Sequence, residues 1–233
     1  MALDLDQQPV ATKTAVVFAP HPDDETLACG GTIAKRVRGG RDVYIVFMTD
    51  GRNSHLHRLG ISADPAPEQL VQVRKEEARR AARILGVKLE NLIFLDIEDG
   101  TLGLNKKIAK DKVSRVIMRL QPHEIYYPER DDLHRDHSST YEVVEDALKA
   151  LSIIPKRYRY LIWSDEGKVK DTVEQQIVVE NISSVLAVKK QVIDEYQSQI
   201  ALFSKKQSCP VLSVSFLAKF VTSQELFTTG PQD

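Results

Sequence analysis

Cysteine is scarce in this 233-residue chain: only Cys29 and Cys209 occur, far apart. One such pair builds neither a disulfide framework nor a thiolate metal site, and both residues read as small buried hydrophobes. An excess of charge of one sign is lacking too. Lys and Arg total 32 against 33 Asp and Glu, a formal net charge of −1, which argues against a protein whose affinity rests on neutralising nucleic-acid phosphates. The longest uninterrupted apolar run, Val43 to Met48, falls far short of the roughly 18 residues of a membrane span. Residues 1–13, MALDLDQQPVATK, read as a polar tail without the basic-then-apolar order of an export signal, so the expected location is cytoplasmic. A glycine-rich dinucleotide fingerprint is also missing. The turn after the first apolar run is Pro20-His21-Pro22-Asp23-Asp24, which disfavours a Rossmann enzyme that holds a nucleotide cofactor.

What is present is a rhythm of short apolar runs and amphipathic stretches. Thr14 to Ala19, Asp42 to Thr49, Asn91 to Leu95 and Glu124 to Tyr127 are short, continuous and β-branched or aromatic, as buried strands are. Between them, helices are predicted from about Pro67 to the stop at Gly86, from Asn105 to Leu120, and after Asp136. The first puts Leu70, Val73, Ala78, Ala81, Ile84 and Leu85 inward and leaves Arg74 to Glu77 on a mostly solvated face. The second puts Ile108, Val113, Val116, Ile117 and Leu120 inward. Strand, crossover helix, strand implies an α/β fold with a mostly parallel sheet covered on both faces. From about residue 155 the pattern changes to an elaboration: strands at Arg157 to Trp163 and Gln176 to Glu180 joined by a turn at Ser164 to Lys168, then helices at 184–202 and 211–227. The apolar positions of 211–227 suit either the core or a homo-oligomeric contact. Residues 14–233 read as one domain.

Two loops carry the chemistry. After the first strand, His21, Asp23, Asp24 and Glu25 crowd one turn; after the fourth, Asp131, Asp132, His134, Asp136 and His137 crowd another. A lone His or Asp at a helix start is usually a cap, but a cap needs one side chain. In a parallel sheet, loops leaving the carboxyl ends of strands emerge on one edge, where ligands bind, so topology can unite the two clusters. Two imidazoles and a carboxylate, His21, Asp24 and His137, form the ligand set of an open catalytic zinc site. Asp23 and His134 remain as a base and an imidazole beside it, the parts of a hydrolase.

These motifs resemble a known family. His21-Pro22-Asp23-Asp24-Glu25 followed by Gly30-Gly31-Thr32, and His134-Arg135-Asp136-His137 after a later strand, resemble the PIG-L / LmbE-like de-N-acetylases. Arg74 to Gly86, Asp99-Gly100-Thr101-Leu102 and Tyr196-Gln197-Ser198-Gln199 extend the resemblance over roughly residues 14 to 200. It implies a Rossmann-like three-layer sandwich with a C-terminal β-hairpin and helical elaboration, and a Zn2+-dependent hydrolase that removes acetyl from an N-acetylglucosamine-type sugar or its conjugate. It assigns His21, Asp24 and His137 to the metal, Asp23 as general base, His134 to the oxyanion and departing amine, and Asp136 to orienting His134; the expected mechanism uses a protonated His134. Arg74 and Asp99 match sugar-contacting positions. The sequence departs from the family at Asn181, where many members have Asp, and at Asp132, where some carry an aromatic hydroxyl and a carboxylate would oppose the oxyanion. Fe2+ or another divalent ion suits the same ligands, so a non-haem iron enzyme is a rival, although its usual β-rich setting conflicts with the βαβ pattern. A sugar-binding protein that has lost the chemistry is another.

Other residues read more plainly. His55 and His57 fall in the long polar connection 49–66 as solvated loop residues or, alternatively, substrate or accessory metal contacts. His123 has a turn role. Tyr158, Tyr160 and Trp163 pack in the core or stack on a sugar. Gly30 and Gly31 serve close approach to a neighbouring backbone.

Overall fold

The computed structural model describes residues 13–164 and 176–230. The first 12 residues of the expected tail, and all but Ser164 of the expected 164–168 turn, lie outside them. The chain runs β1 (Thr14–Ala19), α1 (Asp24–Arg38), β2 (Asp42–Thr49), α2 (Ser54–Leu59), α3 (Pro67–Leu85), β3 (Leu92–Ile97), α4 (Lys106–Leu120), β4 (Glu124–Pro128) and α5 (Arg135–Leu151). It continues with β5 (Lys156–Tyr160), β6 (Gln176–Asn181), α6 (Leu186–Ile193), α7 (Gln197–Ile200), α8 (Val214–Leu217) and β7 (Gln224–Thr229). The strands form one sheet in the order β3-β2-β1-β4-β5-β7-β6. The first five are parallel; β7 pairs antiparallel with both β5 and β6.

Alternation along the pleat divides the core into two layers. Ala15, Val17, Ala19, Val43, Ile45 and Phe47 pack in the cluster that includes residues of α1, α3 and α6. Val16, Phe18, Val46 and Met48 pack with Ala109, Val113 and Ile117 of α4 and Val143, Val144, Ala147 and Leu148 of α5. Both faces of the sheet are therefore covered, which is why its central strands are apolar at nearly every position. Among the described residues, no helix is long and apolar enough to cross a membrane.

The open, mostly parallel α/β sandwich agrees with the reading of the sequence; the C-terminal third differs in detail. The helix expected over 211–227 is instead the short α8 followed by β7, which inserts between β5 and β6, so the antiparallel partner of β6 is β7 rather than β5. The helix expected over 184–202 is broken into a 3-10 turn, α6 and α7. In α4, Ile108 is exposed and the neighbouring Ala109 is buried. In α3, Arg74 and Glu77 are buried rather than solvated. Cys29 is buried but Cys209 is exposed. Tyr160 is buried and donates its hydroxyl to the Phe18 carbonyl at 2.7 Å, Tyr158 stacks on Tyr126, and His123 Nδ1 accepts the Thr14 amide at 3.2 Å in its turn.

Helix α1 is clamped to the C-terminal strands. Glu225 of β7 accepts the amides of Gly31 and Thr32, each at 2.8 Å, and the Thr32 hydroxyl at 2.6 Å, and it pairs with the buried Lys189 ammonium at 2.7 Å. The close approach expected of the glycines is made to side chains. A Cβ on Gly31 would stand 2.6 to 2.7 Å from the Cδ1, Cβ and Cγ2 atoms of Ile182. Alanine in a helix interior normally gains about 1 kcal/mol over glycine, but overpacking costs about 1–3 kcal/mol. Gly31→Ala should therefore lower stability in chemical denaturation, and the loss should shrink or reverse in an Ile182→Ala background; a Gly31→Ala protein more stable than its parent would refute the packing argument.

Candidate active site

The order of the sheet places β1 and β4 side by side with connections leading to opposite halves, a switch point outside whose carboxyl edge ligands bind in such folds. The loop after β1 supplies His21, Asp23 and Asp24, and the segment after β4 supplies Asp132, His134, Asp136 and His137. The loop after β3 adds Asp99. The expected union of the two sequence clusters is present: ring centroids of His21, His134 and His137 lie 4.7 to 5.3 Å apart.

Asp24 Oδ2 stands 3.1 Å from His21 Nδ1 and 3.2 Å from His137 Nε2. Neighbouring donors around a tetrahedral ion with bonds of about 2.0–2.1 Å lie about 3.3 Å apart. His137 is fully buried, and its Nε2, not aligned for a hydrogen bond to Asp24, has no hydrogen-bond partner. Each imidazole is backed by carboxylate on its other nitrogen. His137 Nδ1 is 3.1 Å from Asp132 Oδ2, and His21 Nε2 is 3.2 Å from Asp99 Oδ1 and 3.3 Å from Asp136 Oδ2. Such outer carboxylates commonly fix the tautomer of a ligating histidine.

His21, Asp99 and Asp136 also form a compact donor group, as do His21, His134 and His137. Backbone amides engage the acids of every set: Asp136 accepts those of Gly100 at 2.7 Å and Leu102 at 3.2 Å, Asp99 that of Asn53 at 3.0 Å, and Asp24 Oδ2 that of His21 at 2.9 Å. The orphaned nitrogen lies on the His137 side, so the donor set there fits a divalent cation better.

Electrostatics points the same way. Burial opposes protonation of His137, yet the charges of Asp24 and Asp132 push its pKa up to about 9. Burial likewise opposes protonation of His21, but Asp99, Asp136 and Asp24 raise it. Burial penalises the Asp24 carboxylate, but His137 and His21 hold its pKa well below the usual range. The pocket thus attracts positive charge where the nitrogens converge.

Asp23 behaves differently. Burial outweighs the nearby Arg74 guanidinium and lifts its pKa to about 7. Its backbone has φ 136°, a strained conformation for a non-glycine residue that costs about 1–3 kcal/mol and is concentrated at functional sites. Glu25 accepts the Asp23 amide at 3.0 Å and the Tyr196 hydroxyl. Arg74, only 2% exposed, reaches Asp23 Oδ2 at 3.0 Å, the Gly51 carbonyl at 3.2 Å and the Pro22 carbonyl. It lines the cavity but holds Asp23. Gly51, at φ 65°, leaves no room for a Cβ beside that guanidinium.

His134 caps α5: its Nδ1 accepts the Asp136 amide at 3.2 Å. Burial, with the charges of His21 and His137, pushes its pKa down to about 4. Asp136 thus meets His134 through its main chain, while its carboxylate faces His21, which differs from the orienting role expected. Asp132 also has a place the sequence did not suggest. It accepts the amides of His134 at 3.0 Å, Ile162 at 3.0 Å and Trp163 at 3.1 Å while backing His137. A carboxylate five positions before a ligand-type histidine was its available signal. His55 is buried, with Nε2 2.8 Å from the Ser198 carbonyl, instead of solvated; His57 is exposed at the rim of the cavity. Trp163 lines that cavity and stacks on Phe216. Asn181 lies on the β6 edge, where its side chain accepts the Ser183 amide at 2.9 Å.

The fold is thus a mostly parallel α/β sandwich with an imidazole and carboxylate cluster at its switch point. Residues 16–148, more than half of the chain, match PIG-L, the GlcNAc-PI de-N-acetylase family. The chain is 32% identical over 189 residues to a probable N-acetyl-alpha-D-glucosaminyl L-malate deacetylase 2 of Bacillus cereus, covering 79% of this chain and 82% of the relative. A diacetylchitobiose deacetylase of Thermococcus kodakarensis is 33% identical over 118 residues, 50% of this chain and 41% of that protein. Among solved structures, GalB, the 4-carboxy-2-hydroxymuconate hydratase of Pseudomonas putida, matches with TM-score 0.72 at 20% identity, covering 95% of this chain and 98% of the other, a likeness of fold. The chain belongs to the PIG-L family.

Removing a carboxylate behind a ligating histidine typically costs about 10–100-fold in metal affinity. Where His137 holds a divalent cation, Asp132→Asn should show a loss of that size in chelator competition while its circular dichroism stays that of the parent; unchanged affinity would show that Asp132 supports no such ligand.

Proposed function

We propose that this protein is a zinc-dependent amide hydrolase that removes the acetyl group from an N-acetylglucosamine-type sugar or conjugate. The observation that carries the reading is the convergence of His21, Asp24 and His137 from two loops upon an orphaned imidazole nitrogen, with Asp23 and His134 on the same cavity wall. The deacetylases among its relatives support the choice of substrate. Two imidazoles and a carboxylate suit zinc, and iron(II) accepts the same donors.

When bound, the cation would polarise the acetamide carbonyl and lower the pKa of a neighbouring water from about 15.7 to about 7. The remaining work belongs to the chain. Asp23, held by Arg74 and with a pKa near neutrality, accepts the proton of the attacking water. His134 accepts a hydrogen bond at Nδ1, so its neutral ring carries the proton on Nε2. That N–H donates to the carbonyl oxygen as charge accumulates, which makes His134 a neutral donor in the resting site rather than the protonated one expected from the sequence. The carbon–nitrogen bond breaks as the proton held by Asp23 passes to nitrogen, leaving acetate and a free amine.

The test is a panel of N-acetylated amino sugars and conjugates, scored for primary amine and acetate with zinc-loaded protein. Both products should appear in equal amounts. Asp23→Ala should retain zinc and lose about 10²- to 10⁴-fold in turnover, whereas His137→Ala should lose zinc. Full turnover by metal-replete Asp23→Ala rejects the assigned base, and addition of water to an unsaturated acid without any acetate release would favour hydratase chemistry instead.

A further inference from the structure

The cavity at the candidate active site, about 360 Å³, does not end at its rim. A second cavity of about 500 Å³ adjoins it, and Arg58, Val211 and Leu212 line both. The character of the wall reverses along this trough. The inner cavity presents Asp23, Asp24 and Asp99; among the residues described around the outer one there is no acid, and two cations, Arg58 and Lys219, face it. Both are exposed, and neither makes an ion pair with a described residue. Each stands over an aromatic ring: the Arg58 guanidinium is 4.9 Å from the centroid of Trp163, and the Lys219 ammonium is 5.7 Å from that of Phe216. The two rings stack on each other with centroids 4.4 Å apart. The result is a row of cation, ring, ring and cation, which restrains the charged heads while no described acid neutralises them.

We propose that the outer cavity is a binding subsite for the group attached to the amino sugar, and that it selects a group carrying a carboxylate. The inference rests on the reaction proposed above. An acetamide placed against His21, Asp23 and His134 leaves the remainder of the substrate to exit past Trp163 and Leu212 into the outer cavity. Apolar surface from Leu59, Pro210 and Phe216 accepts its carbon skeleton, and the cations accept its charge. A bidentate guanidinium contact gives the anion a preferred orientation. A neutral second sugar would leave both cations unanswered.

The decisive comparison uses phenyl and 4-carboxyphenyl N-acetylglucosaminides, which differ by one carboxylate. With zinc-loaded protein, the charged glycoside should have the lower KM, by about tenfold for two partly exposed ion pairs, and salt should erode the difference. In Arg58→Gln/Lys219→Gln the ratio of the two KM values should fall to near one, while thermal unfolding verifies that the double variant is folded. Equal KM values in the parent, or a preference that survives the double substitution, would overturn the proposal. Calorimetric binding of both glycosides separates this outcome from failure of the reaction itself. If neither compound releases amine, tighter binding of the carboxylate that is lost in the double variant still supports the subsite, and equal binding rejects it.

Discussion

Burying acids beside imidazoles at one edge of the sheet is the constraint on which the site depends. Asp23, Asp24, Asp99, Asp132 and Asp136 are all removed from water, and the effective penalty for each buried ion is several kcal/mol unless partners replace its hydration. The partners come from backbone as much as from side chains. Amides of Gly100, Leu102, Asn53, Ile162 and Trp163 point at these carboxylates because the loops after β2, β3 and β5 all end on the same edge. The imidazoles of His21 and His137 answer the rest, and the direction of their shifts, toward the protonated form, reflects the negative potential around them.

Within that potential, the two neighbouring aspartates of one turn acquire opposite characters. Asp24 touches two imidazoles and remains anionic; Asp23 faces the single guanidinium of Arg74 and, being desolvated, holds its proton near neutrality. Such divergence between adjacent carboxyls suits the proposed pairing of a ligand with a base. The strained backbone of Asp23 serves the distinction by turning its carboxylate toward Arg74 while the next residue starts α1. Glu25 and Tyr196 hold this turn from behind, which gives the late Tyr-x-Ser-Gln stretch a physical connection to the catalytic edge.

The parallel core was legible because its signals are local. Four short apolar runs separated by amphipathic stretches specify crossovers, and crossovers specify which loops share an edge, so His21 and His137 could be brought together from spacing and topology. Residues 211–227 were misread because Val211, Leu212, Phe216 and Leu217 suggest an apolar helix face, whereas β7 is determined by pairing with strands distant in the chain. The same limit hid Arg74, Glu77 and His55. Their burial is created by partners from other segments, Asp23, Ser198 and Phe203, and no periodicity in α2 or α3 reports it. Asp132 was noticed, but the sign of its effect depended on which nitrogen it faced.

The insertion of β7 between β5 and β6 also orders events in time. The acid that fastens α1 from the far side, Glu225, lies 194 residues after Gly31, so the helix that begins with Asp24 gains this anchor only after all five parallel strands have been synthesised. A ribosome-bound nascent chain can assemble the parallel half early, but the corner that holds Asp24 would acquire its full rigidity only when β7 slides between β5 and β6.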